Sequence, residues 1–193
     1  SGDWVTARLN GIAYMEKAPL KYWMMAGAFQ IFGVRDWASR LPVSGSAVLC
    51  CWLVFLIGRW AFSARAGAYA GTALATCIGL FLFTRFQIPD AMITTTITLA
   101  MWSFLRTLDS EEKHPTRWSM VAFASVGVGL LIKGLIGAVF PIAAAALFLL
   151  ITGEWRQRET WRRLRVVRGT LLLLAIAAPW HVLATLRNPP YFD

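Results

Sequence analysis

WSMVAFASVGVGLLIKGLIGAVFPIAAAALFLLIT, Trp118 to Thr152, is 35 residues long and carries a single charge, Lys133. As one helix it would reach about 52 Å at 1.5 Å per residue, against a hydrocarbon core of about 30 Å. One crossing has no use for that length, so the stretch reads as two helices that turn at Lys133-Gly134. The bilayer then becomes the solvent of the fold, and similar apolar runs recur on either side. Spans are expected from Val43 to Trp60, from Gly67 to Thr84, from after Pro89 to Leu105, and from Gly169 to Leu186 with Pro179 inside. With the split pair this makes six crossings. Residues 19–33 read as a further helix with Pro19 in its first turn. It is too short to cross, and Lys17, Lys21, Tyr22 and Trp23 gather at its start, which is the signature of an interfacial helix. The expected fold is an all-α polytopic membrane bundle: residues 1–42 form an outer loop with the interfacial helix, and residues 43–193 form the transmembrane bundle.

Composition agrees. Of 193 residues, 58% are hydrophobic and 15% charged, with a mean hydropathy of +0.56. Soluble domains carry roughly 25% charged residues, so an ordinary soluble domain is excluded, and disorder with it. The net charge of +9 would point to nucleic acid in a soluble protein. Here the basic residues sit between apolar runs, where the positive-inside rule expects them, and no nucleic-acid partner is expected. The loops Arg59–Arg65, Arg106–Arg117 and Glu154–Arg168 carry 2, 3 and 6 basic residues and share one side, read as cytoplasmic. Trp60, Trp118, Trp155 and Trp161 form an aromatic belt there. Cys50, Cys51 and Cys77 lie in apolar runs without metal-ligand spacing and read as membrane-core side chains. Ser1 opens the chain without a signal-peptide pattern. It closes on Asn188-Pro189-Pro190-Tyr191-Phe192-Asp193 and reads as a piece of a longer membrane protein.

The alternation of spans has a chemical consequence. Glu16, Lys17, Arg85, Asp90, Lys133, His181 and Arg187 are all expected at or near the opposite, outer interface. Ionisable groups in a bundle are functional by default, and cations with two carboxylates suit an anionic, lipid-borne substrate. Lys and Arg hold phosphate; a carboxylate binds a metal or acts as a base. A plainer reading stands beside each. Lys133 can snorkel to headgroups, Asp90 can favour a helix N-terminus, and Glu16 and Lys17 can be a solvated loop face. His181 can be a satisfied core histidine, and Arg85 and Arg187 headgroup anchors. Spacing leaves both readings open. A transporter or flippase for a lipid-linked anion is the alternative, but it would place charges or broken helices near the midplane. A non-catalytic scaffold gives no reason for Tyr14, Glu16 and Lys17 in a proline-stiffened loop.

The segment SGDWVTARLNGIAYMEKAPLKYW, residues 1–23, carries a specific pattern: Gly2-Asp3-Trp4, then Asn10-Gly11, then Tyr14, Glu16, Lys17, Pro19, Leu20, Tyr22 and Trp23. It resembles the first outer loop of the bacterial aminoarabinose transferases, within the protein O-mannosyltransferase-like GT-C glycosyltransferases. Asp90-Ala91-Met92, Lys133-Gly134, and Pro179-Trp180 with Arg187-Asn188-Pro189 are similar to further landmarks of that family, so the resemblance covers essentially the whole chain. It implies a multi-pass enzyme of the bacterial inner membrane with its site facing the periplasm. The donor is a polyprenyl-phosphate-linked sugar, and the acceptor lipid A or another glycolipid or protein. By the same resemblance, Lys17 binds the donor phosphate and Glu16 sits by a divalent metal ion, while Tyr14, Asp90, Lys133 and Arg187 line the substrate site. An acceptor oxygen attacks the anomeric carbon with inversion and phosphate leaves. The family's catalytic carboxylate lies in an acidic pair just before the Gly-Asp-Trp, hence upstream of Ser1, and residues 1–193 alone are expected to be inactive.

Overall fold

The structure, a computed structural model, describes residues 3–9, 11–13 and 17–188. A two-residue antiparallel pair, β1 (Arg8–Leu9) and β2 (Ile12–Ala13), opens the chain. The helices follow: α1 (Leu20–Phe32), α2 (Asp36–Ala61), α3 (Ala64–Ala75), α4 (Ile78–Arg85), α5 (Asp90–Leu108), α6 (Pro115–Lys133), α7 (Ile136–Thr152), α8 (Arg158–Leu164) and α9 (Val166–Arg187). Their ends obey the macrodipole, with Asp36 and Asp90 in first turns and Arg59, Arg85, Arg106, Lys133 and Arg187 in last turns. The chain forms two compact units, Lys21–Leu99 on the one hand and Ser1–Leu20 with Ala100–Asp193 on the other.

A helix stands at each of the six expected stretches, and the short helix after Pro19 is present as α1, with 13 residues. Two boundaries differ from expectation. The helix that carries the first expected span begins before that span, at Asp36, and runs through Pro42. One proline removes a single backbone donor, and 26 residues of helix outweigh it. The stretch Gly67 to Thr84 is not one straight span either: α3 and α4 are bent by 48° at Thr76–Cys77. There the Thr76 hydroxyl donates to Thr72 O at 3.0 Å, and Cys77 N bonds Leu74 O, three residues back. Such back-bonding and tightened turns are known causes of helix bends. By length and composition, α2, α6 and Arg158–Arg187 can cross a membrane, and the bent α3–α4 pair makes a fourth if it counts as one. At 17 residues α7 is apolar but shorter, and five threonines dilute α5, from Thr94 to Thr107.

In the Lys21–Leu99 unit, α2 and α3 form a hairpin around glycines. A Cβ on Gly58 would stand 2.7 Å from Gly67 Cα, and one on Gly67 2.4 Å from Phe55 O. Small residues let backbones close on one another where lipid offers no hydrophobic drive. Ser63 caps α3, its hydroxyl accepting from Ala66 N. The segment after α4 is tied down by polar contacts: Arg40 donates to Arg85 O, Gln87 Nε2 to Ser39 Oγ, and Lys21 Nζ to Gln87 O. The buried Thr95 hydroxyl bonds Ala91 O and Ser46 O, both at 2.8 Å, which joins α5 to α2.

In the other unit α6 packs between α7 and α9. The turn at Gly134 (φ +68°) needs a residue that accepts a positive φ. Beyond it Gly129 and Gly137 touch, and a Cβ on Gly137 would lie 2.3 Å from Gly129 C. Along α6 and α9, the Ser119 hydroxyl donates to Leu164 O, Gly169 accommodates the Phe123 ring, and Gly127 lies against Leu173 and Ile176. Both numberings rise together, so α6 and α9 run parallel. The two arginine-bearing loops of this unit meet at one end, as the charge count requires, with Arg163 Nη1 donating to Asp109 O at 2.7 Å. Arg106 pairs with Glu112 and lies over the Trp118 ring at 4.7 Å. The bond from Arg106, then that from His114 N, holds the Glu112 carboxyl below its ordinary pKa.

Gly137→Ala forces two backbones apart and is expected to cost about 1–3 kcal/mol. Gly45→Ala, in open space on α2, is expected to be neutral or to stabilise by about 0.5–1 kcal/mol. Thermal unfolding of the two full-length variants in detergent distinguishes them; equal melting temperatures would refute the close-packed hairpin.

Candidate functional site

Lys17, Lys133, His181 and Arg187 belong to one unit, Arg85 and Asp90 to the other, and Tyr14 and Glu16 lie outside the described residues. The parallel register of α6 and α9 sets the geometry in the first group. Ser119 lies opposite Leu164 and Gly127 opposite Leu173 and Ile176, so Lys133 comes level with Pro179–His181. Lys133 is the last residue of α6 and Arg187 the last of α9. Both cations therefore end parallel helices at the same end of the unit, the end away from the arginine-rich loops. Lys17 is exposed and precedes the buried Pro19 that leads into α1.

The N-terminal segment is fastened to that end of α9. Asp3 Oδ1 stands 3.6 Å from the Arg187 guanidinium. The buried Trp180 donates its indole N–H to Val5 O at 3.2 Å, and Asn188 Nδ2 donates to the buried Thr6 hydroxyl at 3.1 Å. The same Asp3 oxygen accepts from Val5 N and Thr6 N at 3.0 and 3.1 Å, which folds the loop into a tight turn. These backbone bonds, Thr6 first and then Val5, hold the Asp3 carboxyl below its usual pKa, and Arg187 and Arg8 add to the effect. Sequence reasoning missed this latch. Its partners are as much as 184 positions apart, Asp3 and Arg187, and only the family landmarks Gly-Asp-Trp, Pro-Trp and Asn-Pro mark them.

His181 is half-buried and hydrogen-bonded within its own helix. Its Nδ1 lies 2.8 Å from Ala177 O, and its ring meets Trp180 edge-on at 5.0 Å. A carbonyl only accepts, so Nδ1 carries the proton in that bond. In the other unit, Asp90 opens α5 and its carbonyl accepts from the Thr94 hydroxyl at 2.8 Å. Arg85 closes α4 with its guanidinium 4.7 Å from the Phe81 ring centre, an anchor-like placement. Among the described residues, no three His, Cys, Asp or Glu side chains gather as a metal site.

An arrangement of this kind defines a polytopic helical membrane domain with a polar latch and cations at one end. The fold is that of known structures. The whole chain matches the crystal structure of ArnT from Cupriavidus metallidurans in the apo state, with a TM-score of 0.91 and 31% identity, over 36% of that chain. It matches the same protein bound to undecaprenyl phosphate with a TM-score of 0.92 and 30% identity, covering 99% of this chain and 35% of that one. Residues 16–182 match the family model described as dolichyl-phosphate-mannose-protein mannosyltransferase, and the chain belongs to that family. Among curated relatives, the undecaprenyl phosphate-alpha-4-amino-4-deoxy-L-arabinose arabinosyl transferase 1 of Proteus mirabilis is 30% identical over 100% of this chain and 35% of its own length. The corresponding enzyme of Pseudomonas aeruginosa (strain LESB58) is 25% identical over 99% of this chain and 34% of its own. The chain thus spans about 35% of the length of these relatives. The resemblance read from the Gly2-Asp3-Trp4 and Tyr14-to-Trp23 motifs is borne out.

Asp3 has a depressed pKa, so its contribution to the latch is complete above its ordinary value and is lost as pH falls through the lowered one. At neutral pH, Asp3→Asn is expected to speed amide exchange at Val5 and Thr6 while exchange in α6 stays as in wild type. Unchanged exchange at those two amides would show that the carboxylate does not hold the loop.

Proposed function

We propose that the protein carrying this segment is an integral-membrane glycosyltransferase that moves a sugar from a polyprenyl-phosphate donor to a lipid or other acceptor at the periplasmic face of the bacterial inner membrane. The observation that carries the reading is the match over 99% of the chain to the structure of ArnT bound to undecaprenyl phosphate, at 30% identity. The names of the relatives support an aminoarabinose-type sugar, and lipid A is the acceptor that this reading favours.

In this reading the chain supplies donor binding. Lys17 stands exposed at the end of the outer loop, its ammonium available to a phosphate as a point charge. The latch of Asp3, Trp180 and Asn188 fastens residues 3–6 to the end of α9. Lys133 and Arg187 add cations in the unit that holds Lys17, with Tyr14 and Glu16 beside Lys17 in sequence; the substrate-site role of Asp90 rests on the family resemblance alone. An acceptor oxygen attacks the anomeric carbon, the bond to the phosphate oxygen breaks, and the sugar inverts. Cations at the leaving phosphate take up the charge that develops, and this lowers the barrier. The base that accepts the acceptor's proton is assigned to a carboxylate outside residues 1–193. A divalent cation beside Glu16 belongs to the same proposal; the described residues offer it no cluster of donors, and no step is assigned to it.

Lys17→Ala in the full-length protein is expected to lower sugar transfer at least about 100-fold, the scale of removing one preorganised charge-stabilising group. Its melting temperature in detergent should equal that of wild type. Transfer at the wild-type rate, measured with a polyprenyl-phosphate sugar donor, would remove Lys17 from the phosphate site.

A further inference from the structure

The end of the unit opposite Lys133 carries a second arrangement suited to a ligand. At the junction of α8 and α9, a hollow of about 400 Å³ is lined by Trp161, Arg162, Arg165, Val166, Val167 and Arg168. It shares Trp161 and Val166 with an apolar groove of about 340 Å³, which runs on past Leu164, Phe123, Ala146 and Leu149. Three arginines thus stand at the mouth of a hydrocarbon-lined slot.

The local fold builds this mouth. Arg165 adopts a left-handed conformation (φ 43°) between two helices, a conformation rare for a side chain with a Cβ. The reversal brings Arg162, at the end of α8, to the same hollow as Arg165 and Arg168. Glu159 pairs with Arg162 at 3.0 Å and with Arg163 at 3.3 Å. Arg165 and Arg168 have no carboxylate partner among the described residues. Trp161 is fixed over the shared wall by a bond from its indole N–H to Trp155 O at 2.8 Å, and the residue is 47% exposed, as an interfacial tryptophan would be. The hollow itself is walled mainly by apolar atoms, and the exposed arginines stand around it; their guanidinium groups suit a phosphodiester, and the groove an acyl chain. In the orientation set by the arginine count it faces the cytoplasmic leaflet, where anionic lipids meet basic segments.

We propose that the α8–α9 junction binds an anionic phospholipid of the cytoplasmic leaflet, its phosphate held by Arg162, Arg165 and Arg168 and one acyl chain lying in the groove beneath Trp161. This site is separate from the end where Lys133 and Arg187 lie, and it does not depend on the transferase reading.

The test uses the full-length protein, delipidated in detergent and given equimolar phosphatidylglycerol and phosphatidylcholine, with retained lipid counted by native mass spectrometry. Wild type is expected to retain phosphatidylglycerol at least about tenfold over phosphatidylcholine, given about 1 kcal/mol per basic residue at an anionic surface. The triple variant Arg162→Gln, Arg165→Gln, Arg168→Gln should lose that preference, whereas Arg156→Gln with Arg158→Gln should keep it. Ala146→Phe, which fills the groove without touching a charge, should lower phosphatidylglycerol retention as well, and it covers the case in which the triple variant does not fold. Equal retention of the two lipids by wild type would overturn the proposal. So would retention unchanged in both the triple variant and Ala146→Phe, or lipid displaced by millimolar inorganic phosphate alone, which would make the hollow a free-anion site.

Discussion

Hydrocarbon offers no partner to a backbone N–H or C=O, and the rest of this structure depends on that constraint. Between Asp36 and Arg187 the described chain is helix joined by short turns, because each helix satisfies its own backbone. Once that is done, lipid gives helices little reason to associate through apolar side chains alone. Association here falls to close backbone approach. Gly58 against Gly67 and Gly129 against Gly137 bring helix axes together where any side chain would hold them apart, and Gly169 makes room for the Phe123 ring. Dispersion, weak for each atom pair, adds up only at such distances.

Polar contacts are then reserved for the ends. At one end of the larger unit, Arg106 with Glu112 and Arg163 with Asp109 O knit the basic loops together. At the other end, Asp3, Trp180 and Asn188 fasten the N-terminal loop to α9. The Asp3–Arg187 pair contributes little energy by itself, with Arg187 59% exposed. Its worth is geometric: with the bonds of Val5 and Thr6 it makes three contacts that hold one short segment against the end of α9.

The two ends also separate two kinds of charge. Cations that finish parallel helices, Lys133 and Arg187, stand where charge favours the macrodipole and where the outer face is expected. Of the arginines at the α8–α9 junction, Arg165 and Arg168 stand at a helix start, with no acidic residue in the first turn of α9 to balance them, and Arg162 stands in the last turn of α8. Orientation in the membrane accounts for an excess of arginine on that side. It does not account for three of them converging on a slot lined by Leu164 and Phe123.

Much of the fold was legible in the sequence. Apolar run length forces the break at Lys133-Gly134, because a bilayer has a fixed thickness; Pro19 starts α1 and the arginine count orders the loops, both local effects. The family was legible too, in the block from Tyr14 to Trp23. The bend at Thr76–Cys77 and the passage of α2 through Pro42 were not, since each depends on hydrogen bonds whose gain or loss composition does not record. Nor was the latch: Val5 and Trp180 are 175 positions apart, and no periodicity links them. Chain chemistry and bilayer thickness determined which residues are helical and which ends carry charge. Which charges meet was decided only by the parallel packing of α6 on α9 and by the turn at Asp3, because contact between distant residues depends on how helices dock and not on any property of either residue alone.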